Sequence, residues 1–283
     1  MLTDQPSHSM TYTAIYRAAH QLIDRPRILE DLLAVGLIPE ASEDAVLASV
    51  DEHRQPLSTL LRALFAFRSR FAEDRLAEAA SRGVRQYVVV GAGLDTFAWR
   101  QPFFAHNIRI FYVDHPWSLS WTTTQFHRRG LVAPQNLSFV AADLEAQELA
   151  IGLAKHGFKC EACTFLSVLG VTQYLSRDAL QALLRFAAAL PAQSEIVLSF
   201  VPPDDELEGD ELIAMIHRRE THRNDGEPWI TRLRPAEAFG LLTCLGFGEV
   251  FHLTPKRAQL RYFAGREDKL RAPHFEQLIA ATI

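Results

Sequence analysis

Three acidic residues, Asp95, Asp114 and Asp143, stand along a run that begins with the turn Gly91-Ala92-Gly93. Two glycines around one small residue let the backbone take positive φ and approach a ligand without Cβ interference. Asp95 stands at the mouth of that turn. A fixed carboxylate there would repel a pyrophosphate and would suit a ligand carrying an ammonium or sulfonium. A dinucleotide site asks for G-x-G-x-x-G, with the third glycine for close helix packing, and here that position is Thr96. S-adenosylmethionine therefore fits the turn better than NAD.

The second carboxylate, Asp114, ends an apolar strand roughly 20 residues after the turn, where a ribose diol could donate two hydrogen bonds to it. The competing role is to cap the helix that Pro116 and Trp117 begin. The third, Asp143, ends another strand, and could accept from an adenine amino group while Leu144 packs on the ring. Upstream, Arg68 and Arg70 could meet an anionic part of the ligand. A two-residue step turns about 200° around a helix, so only one of them can face the turn, and the other is free to pair with Asp74. His115, His217 and His222 are the candidates for a general base.

These residues need a scaffold. Tyr87 to Val90, Arg109 to Val113, Leu137 to Ala142, Thr164 to Gly170 and Glu195 to Val201 are short apolar runs that read as buried strands. Helical stretches separate them, among them Asp178 to Leu190 opened by Ser176, and Ala236 to Leu245 between Pro235 and Gly246. Two closing strands, Glu249 to Leu253 and Leu260 to Ala264, suggest a mainly parallel sheet with one antiparallel edge. Before the sheet, Met1 to Ser81 reads as helical, with apolar spacing over Thr13 to Ile23, Ile28 to Val35 and Ser58 to Ala80. The charged segment Asp204 to Arg234, with a turn at Gly226-Glu227-Pro228-Trp229, reads as a lid over the strand ends. The expected division is a helical cap and lead-in helix over residues 1–81, and a sheet domain over 82–283 with its lid at 204–234.

Composition narrows the function. The 283 residues are 48% hydrophobic and 22% charged with a formal net charge of -5, the balance of a globular protein without the basic face of a nucleic-acid binder. The basic run Arg218 to Arg223 reads as a solvated helix face. No apolar stretch approaches the ~20 residues of a bilayer span, and Met1-Leu2-Thr3-Asp4 does not open a secretory leader, so a cytoplasmic protein is expected. Of three cysteines, Cys160 and Cys163 could form half of a metal or redox site, but no second pair exists. Cys163 leads into an apolar strand, so burial is expected and no metal is called for.

The chain resembles class I S-adenosylmethionine-dependent methyltransferases, and within them the leucine carboxyl methyltransferase-like family with its bacterial polyketide O-methyltransferases. The resemblance is carried by Arg68-Ser-Arg-Phe-Ala-Glu-Asp, by Gly83 through Arg100, by Val113-Asp-His-Pro, Ala142-Asp-Leu and Gly170-Val-Thr-Gln-Tyr-Leu, and by Arg261 through Arg271. It implies an α/β, Rossmann-like fold: a seven-stranded, mostly parallel sheet with a reversed last strand. It further implies that Arg68 contacts the cofactor carboxylate, Gly91 lies under its methionine part, Asp114 binds ribose, and Asp143 with Leu144 holds adenine. One position departs, since Leu169 stands where many relatives have Glu.

The expected activity is methyl transfer from S-adenosylmethionine to an oxygen, carboxylate or hydroxyl, of a small-molecule acceptor, with no nucleic-acid or membrane partner. Two other functions compete. One is a cofactor-binding protein without catalysis, to which Leu169 gives weight; the other is a nicotinamide oxidoreductase, which fails at Thr96. The identity of the acceptor and the oligomeric state stay open at this stage.

Overall fold

The computed structural model describes residues 7–283; Met1 to Pro6, the start of the expected cap, lie outside the described residues. Seven strands form one sheet in the order β3-β2-β1-β4-β5-β7-β6. They are β1 (Gln86–Val90), β2 (Arg109–Asp114), β3 (Leu137–Ala141), β4 (Thr164–Val168), β5 (Glu195–Phe200), β6 (Val250–Leu253) and β7 (Gln277–Thr282). The first five pair in parallel, and β7 runs antiparallel to both β5 and β6. The last strand is reversed, as expected, which confirms the α/β Rossmann-like class. Its place differs: β7 lies inside the sheet and β6 forms the edge.

Chain direction turns outward on both sides of β1, toward β2 and toward β4. Ligands in open α/β sheets bind in the crevice at the carboxyl ends of the strands, where the order reverses. The register brings Val90 level with both Val113 and Val168, and Asp114 level with Ala141. Gly91, Asp114, Ala142 and Leu169 consequently reach one rim of the sheet. Two apolar layers hold that rim in place. One face of the sheet packs on the long lead-in helix (Pro56–Ser81) through residues such as Leu64, Phe71 and Leu76, and the other on the helices Arg177–Ala188 and Pro235–Cys244 through Leu180, Leu184 and Leu242. No helix among the described residues is long and apolar enough to cross a membrane.

Three local expectations need correction. Leu260 to Ala264 is no strand: Thr254 caps a helix, Pro255–Tyr262, by accepting from the Arg257 N–H at 3.3 Å, and Pro255 sits at its first position. The seventh strand is instead the terminal apolar run Gln277–Thr282. Ile28 to Val35 is not a helix beyond one tight turn, Leu32–Ala34. Its backbone groups are taken by side chains of the preceding cap helix (His8–Ile23): His20 Nε2 accepts from Ile28 N–H at 3.0 Å, and Gln21 bridges Leu29 O and Asp31 N–H. Finally, Cys163 is only partly buried and Cys160 is exposed, because Cys163 precedes β4, at the amino-terminal rim of the sheet.

Candidate active site

A cavity of about 510 Å³ opens over the carboxyl ends of β1, β2, β3 and β4, and its other walls come from the cap helix, the lead-in helix and the lid. Arg68, Gly91, Ala92, Gly93, Asp95, Asp114, Asp143 and Leu144, singled out from the sequence, all line it. The turn explains its own glycines. Gly91 has φ +68°, and a Cβ there would stand 2.3 Å from Val171 Cγ2, so any larger residue would force the β4 loop away. Its N–H and that of Ala92 both donate to Val113 O, at 2.8 and 3.1 Å, which ties the turn to β2.

Asp114 completes the tie. One carboxylate oxygen accepts from Gly93 N–H and the other from His115 N–H, both at 2.8 Å. It does not cap the next helix (Pro116–Arg128), whose cap is His115, with Nδ1 3.4 Å from Trp117 N–H. Burial raises the Asp114 carboxyl above the ordinary aspartate range, although those two N–H groups oppose the shift. Each oxygen keeps acceptor capacity toward the cavity. Asp95 is engaged by its own turn, accepting from Phe97 N–H at 2.8 Å and from the buried Tyr112 hydroxyl. Asp143 accepts from Glu145 N–H at 2.9 Å, which fixes the loop after β3 while Leu144 packs beside the core. The helix after the turn, Phe97–Arg100, is a single turn and offers little dipole for a pyrophosphate.

The two arginines separate as the helical step requires. Arg68 is buried and lines the cavity, whereas Arg70 is exposed and pairs with Asp74 at 2.7 Å. Arg68 Nη1 donates to the buried Glu276 at 2.8 Å, and its guanidinium lies 4.6 Å from the Phe65 ring centre. Gly170, φ +72°, makes room for it: a Cβ there would come within 2.8 Å of Arg68 Nη1. Leu169 lines the same wall.

A second network ties the turn to the cap. Arg17, from the cap helix, donates to Leu94 O and to Thr96 Oγ1, both at 2.9 Å, and pairs with the fully buried Asp31. Thr96 Oγ1 in turn donates to Asp31 at 2.6 Å, and Arg100 joins Thr96 to Glu73 of the lead-in helix. Burial works to raise the Asp31 carboxyl, but Arg17 and Arg100 hold it below the ordinary range. This is why Thr96 replaces a third glycine: its hydroxyl is a junction.

The segment expected as a lid is a helix, Gly209–Asn224, between a tight turn at Asp204–Glu206 and a loop to Arg234. Asp204 receives Arg219 at 2.6 Å and also pairs with Arg232, while Ile230 N–H donates to Gln173 O at 2.6 Å. Among the histidines, His115 lines the cavity, His217 is exposed and outside its lining, and His222 is buried with its ring 5.5 Å from that of Trp229. Arg218 is not part of a solvated face; it is partly buried and lines the cavity. Sequence spacing also missed Ser9, Met10 and Arg17 of the cap, Tyr174 after β4 and Glu227 of the lid, all in the lining. Arg17, Tyr174 and Glu227 belonged to stretches already singled out, but none was marked as a site residue.

The leucine carboxyl methyltransferase pattern matches residues 10–188, which spans the cap and the sheet through the helix after β4. The chain is 26% identical over 299 aligned positions to YktD of Bacillus subtilis (strain 168), covering 96% of each protein. It is 30% identical over 224 positions to a Mycobacteroides abscessus protein, covering 77% of this chain and 73% of that one. Both relatives carry provisional names as S-adenosyl-L-methionine-dependent methyltransferases. The crystal structure of a Thermobifida fusca YX protein described as a methyltransferase aligns with a TM-score of 0.60 at 18% identity, covering 99% of this chain and 95% of that one, a likeness of fold. With a matched segment covering more than half its length and a sheet that places the matched motifs around one cavity, the chain belongs to the leucine carboxyl methyltransferase family.

Proposed function

We propose that the protein is an S-adenosylmethionine-dependent methyltransferase that methylates an oxygen, carboxylate or hydroxyl, of a small molecule such as a polyketide-type metabolite. The observation that carries the cofactor assignment is the recessed Asp114 carboxylate facing the glycine turn beside the switch point, with acceptor capacity left toward the cavity. The surrounding residues fit the same group. Gly91 brings bare backbone to the cavity wall, Leu144 offers an apolar contact for adenine, Asp143 an acceptor for its amino group, and Arg68 a guanidinium for a carboxylate. The names of the relatives support this assignment.

When bound, the cofactor supplies a methyl group already activated on a sulfonium. What remains for the chain is alignment and exclusion of water. The cap and the lid close the cavity from two sides, joined where Ser9 N–H donates to Glu227 at 3.1 Å. His115, on the wall beside Asp114, is the histidine placed to take a proton from a hydroxyl acceptor; a carboxylate acceptor needs no base. The test is mass spectrometry of products from labelled S-adenosylmethionine with a library of carboxylic acids and phenols. Transfer of label to oxygen of at least one acceptor is the expected result. S-adenosylhomocysteine binding without transfer to any acceptor would leave a cofactor-binding protein.

A further inference from the structure

Six buried side-chain polar atoms among the described residues have no hydrogen-bond partner, and five of them lie together: Gln173 Oε1, Arg218 Nη1, His222 Nδ1, Trp229 Nε1 and Thr231 Oγ1. All belong to the lid or to the turn after β4 that the lid covers; Gln173 and Arg218 line the cavity, and His222 Nδ1 lies 3.7 Å from the Glu227 carboxylate. Buried polar groups are normally satisfied, so a cluster of orphans beside a cavity marks where a ligand's polar atoms go. Arg218 is the extreme case. It makes no hydrogen bond and no ion pair among the described residues; its guanidinium lies 5.7 Å from the Phe65 ring centre and 5.6 Å from that of Trp229. Glu276, the carboxylate acting on it from nearby, is already held by Arg68 at 2.8 Å. Arg68 therefore takes the one internal carboxylate, and Arg218, on the lid, is left without a partner among the described residues.

Resting on the methyltransferase assignment, we propose that Arg218 is a specificity-determining residue that receives an anionic group of the acceptor, a carboxylate on a molecule whose apolar part lies along Phe65. Arg68, on the rigid helix beside the glycine turn, serves the cofactor; Arg218, on the lid, serves the acceptor. Burying part of an unpaired guanidinium costs stability, and such a cost persists where a ligand repays it.

The test titrates hexanoate, hexanamide, benzoate and benzamide into the full chain saturated with S-adenosylhomocysteine, by calorimetry, for wild type, Arg218→Met and Arg218→Lys. At least one acid should bind wild type about ten- to a hundredfold more tightly than its amide, as a charge-assisted hydrogen bond implies. Arg218→Met should lose that preference and Arg218→Lys recover part of it, with S-adenosylhomocysteine affinity within about twofold of wild type in both. Arg218→Met should also melt at or above the wild-type temperature without ligand. Equal binding of acids and amides, or binding of none, overturns the proposal. So does a fall in the melting temperature, which marks a structural role, or a large loss of S-adenosylhomocysteine affinity in Arg218→Met, which assigns the residue to the cofactor. Failure of wild type to bind S-adenosylhomocysteine, measured first, would sink the methyltransferase assignment itself.

Discussion

Arg68 and Arg70 show what one residue's setting decides. Arg68→Met should weaken S-adenosylmethionine binding by roughly 1.5 to 3 kcal/mol, while Arg70→Met, removing an exposed pair worth ~0.3 to 0.5 kcal/mol of stability, should leave binding nearly unchanged. The Glu276 partner adds a second expectation. Arg68→Met strands a buried carboxylate, at a cost of about 3 to 5 kcal/mol, so it should lower the melting temperature sharply where Arg70→Met does not. Calorimetry and thermal melts of the two variants check both. Asp114 gives a pH dependence. Its carboxyl titrates above the ordinary range in the folded protein, so on acidification it takes up a proton before an unfolded-chain aspartate would, which favours the folded state. Protonation removes an acceptor from the proposed ribose contact, so S-adenosylhomocysteine affinity should fall as pH drops from neutral toward the aspartate range. In Asp114→Asn the affinity should be lower throughout and lack this component; parallel slopes for the two proteins would clear Asp114 of the effect. The three aspartates were legible because strand ends and glycine turns are local patterns. Glu276 and Arg218 were not, since the pairing of Arg68 with Glu276 spans 208 residues and the inward turn of Arg218 depends on where the lid lands.

At the scale of elements, the lid is held by charges at its root. Asp204 binds Arg219 and Arg232, and although burial works to raise its carboxyl, those two partners bring it below the ordinary range. Asp204→Ala should loosen the lid, lowering methyl transfer several-fold while S-adenosylhomocysteine affinity stays within about twofold. Limited proteolysis should show faster cleavage between residues 204 and 234; unchanged transfer would mean that the lid does not gate the acceptor. The strands through β5 could be read directly from apolar runs stopped by glycine, proline or aspartate. Two elements could not. Ile28 to Val35 carries helical spacing, yet His20 and Gln21 take its backbone groups, and side-chain capture of this kind leaves no periodic trace. Leu260 to Ala264 looks like a strand until Thr254 and Pro255 are recognised as a helix start.

For the whole molecule, a ligand that binds only the folded state must stabilise it, by about 2.7 kcal/mol at a hundred times its dissociation constant. S-adenosylhomocysteine should therefore raise the melting temperature and NAD should not; stabilisation by NAD alone would overturn the cofactor assignment. Alternation of strand and helix made the parallel half of the sheet legible, whereas the insertion of β7 between β5 and β6 is a long-range pairing that no local pattern encodes. The junction of Arg17, Asp31, Thr96 and Arg100 bears on motion. Because the cap cannot lift without parting the buried Asp31 from Arg100 and Arg17 from Leu94 O and Thr96, fraying of its first helix and opening of the glycine turn should be one event. Amide exchange would register this as linked protection: occupancy of the turn should slow exchange at Ala18 and Ala19, in the middle of the cap helix, as much as at Gly93. Exchange there that ignores the ligand would mean the cap breathes independently, and that the chain could shed it without loosening its grip on the cofactor.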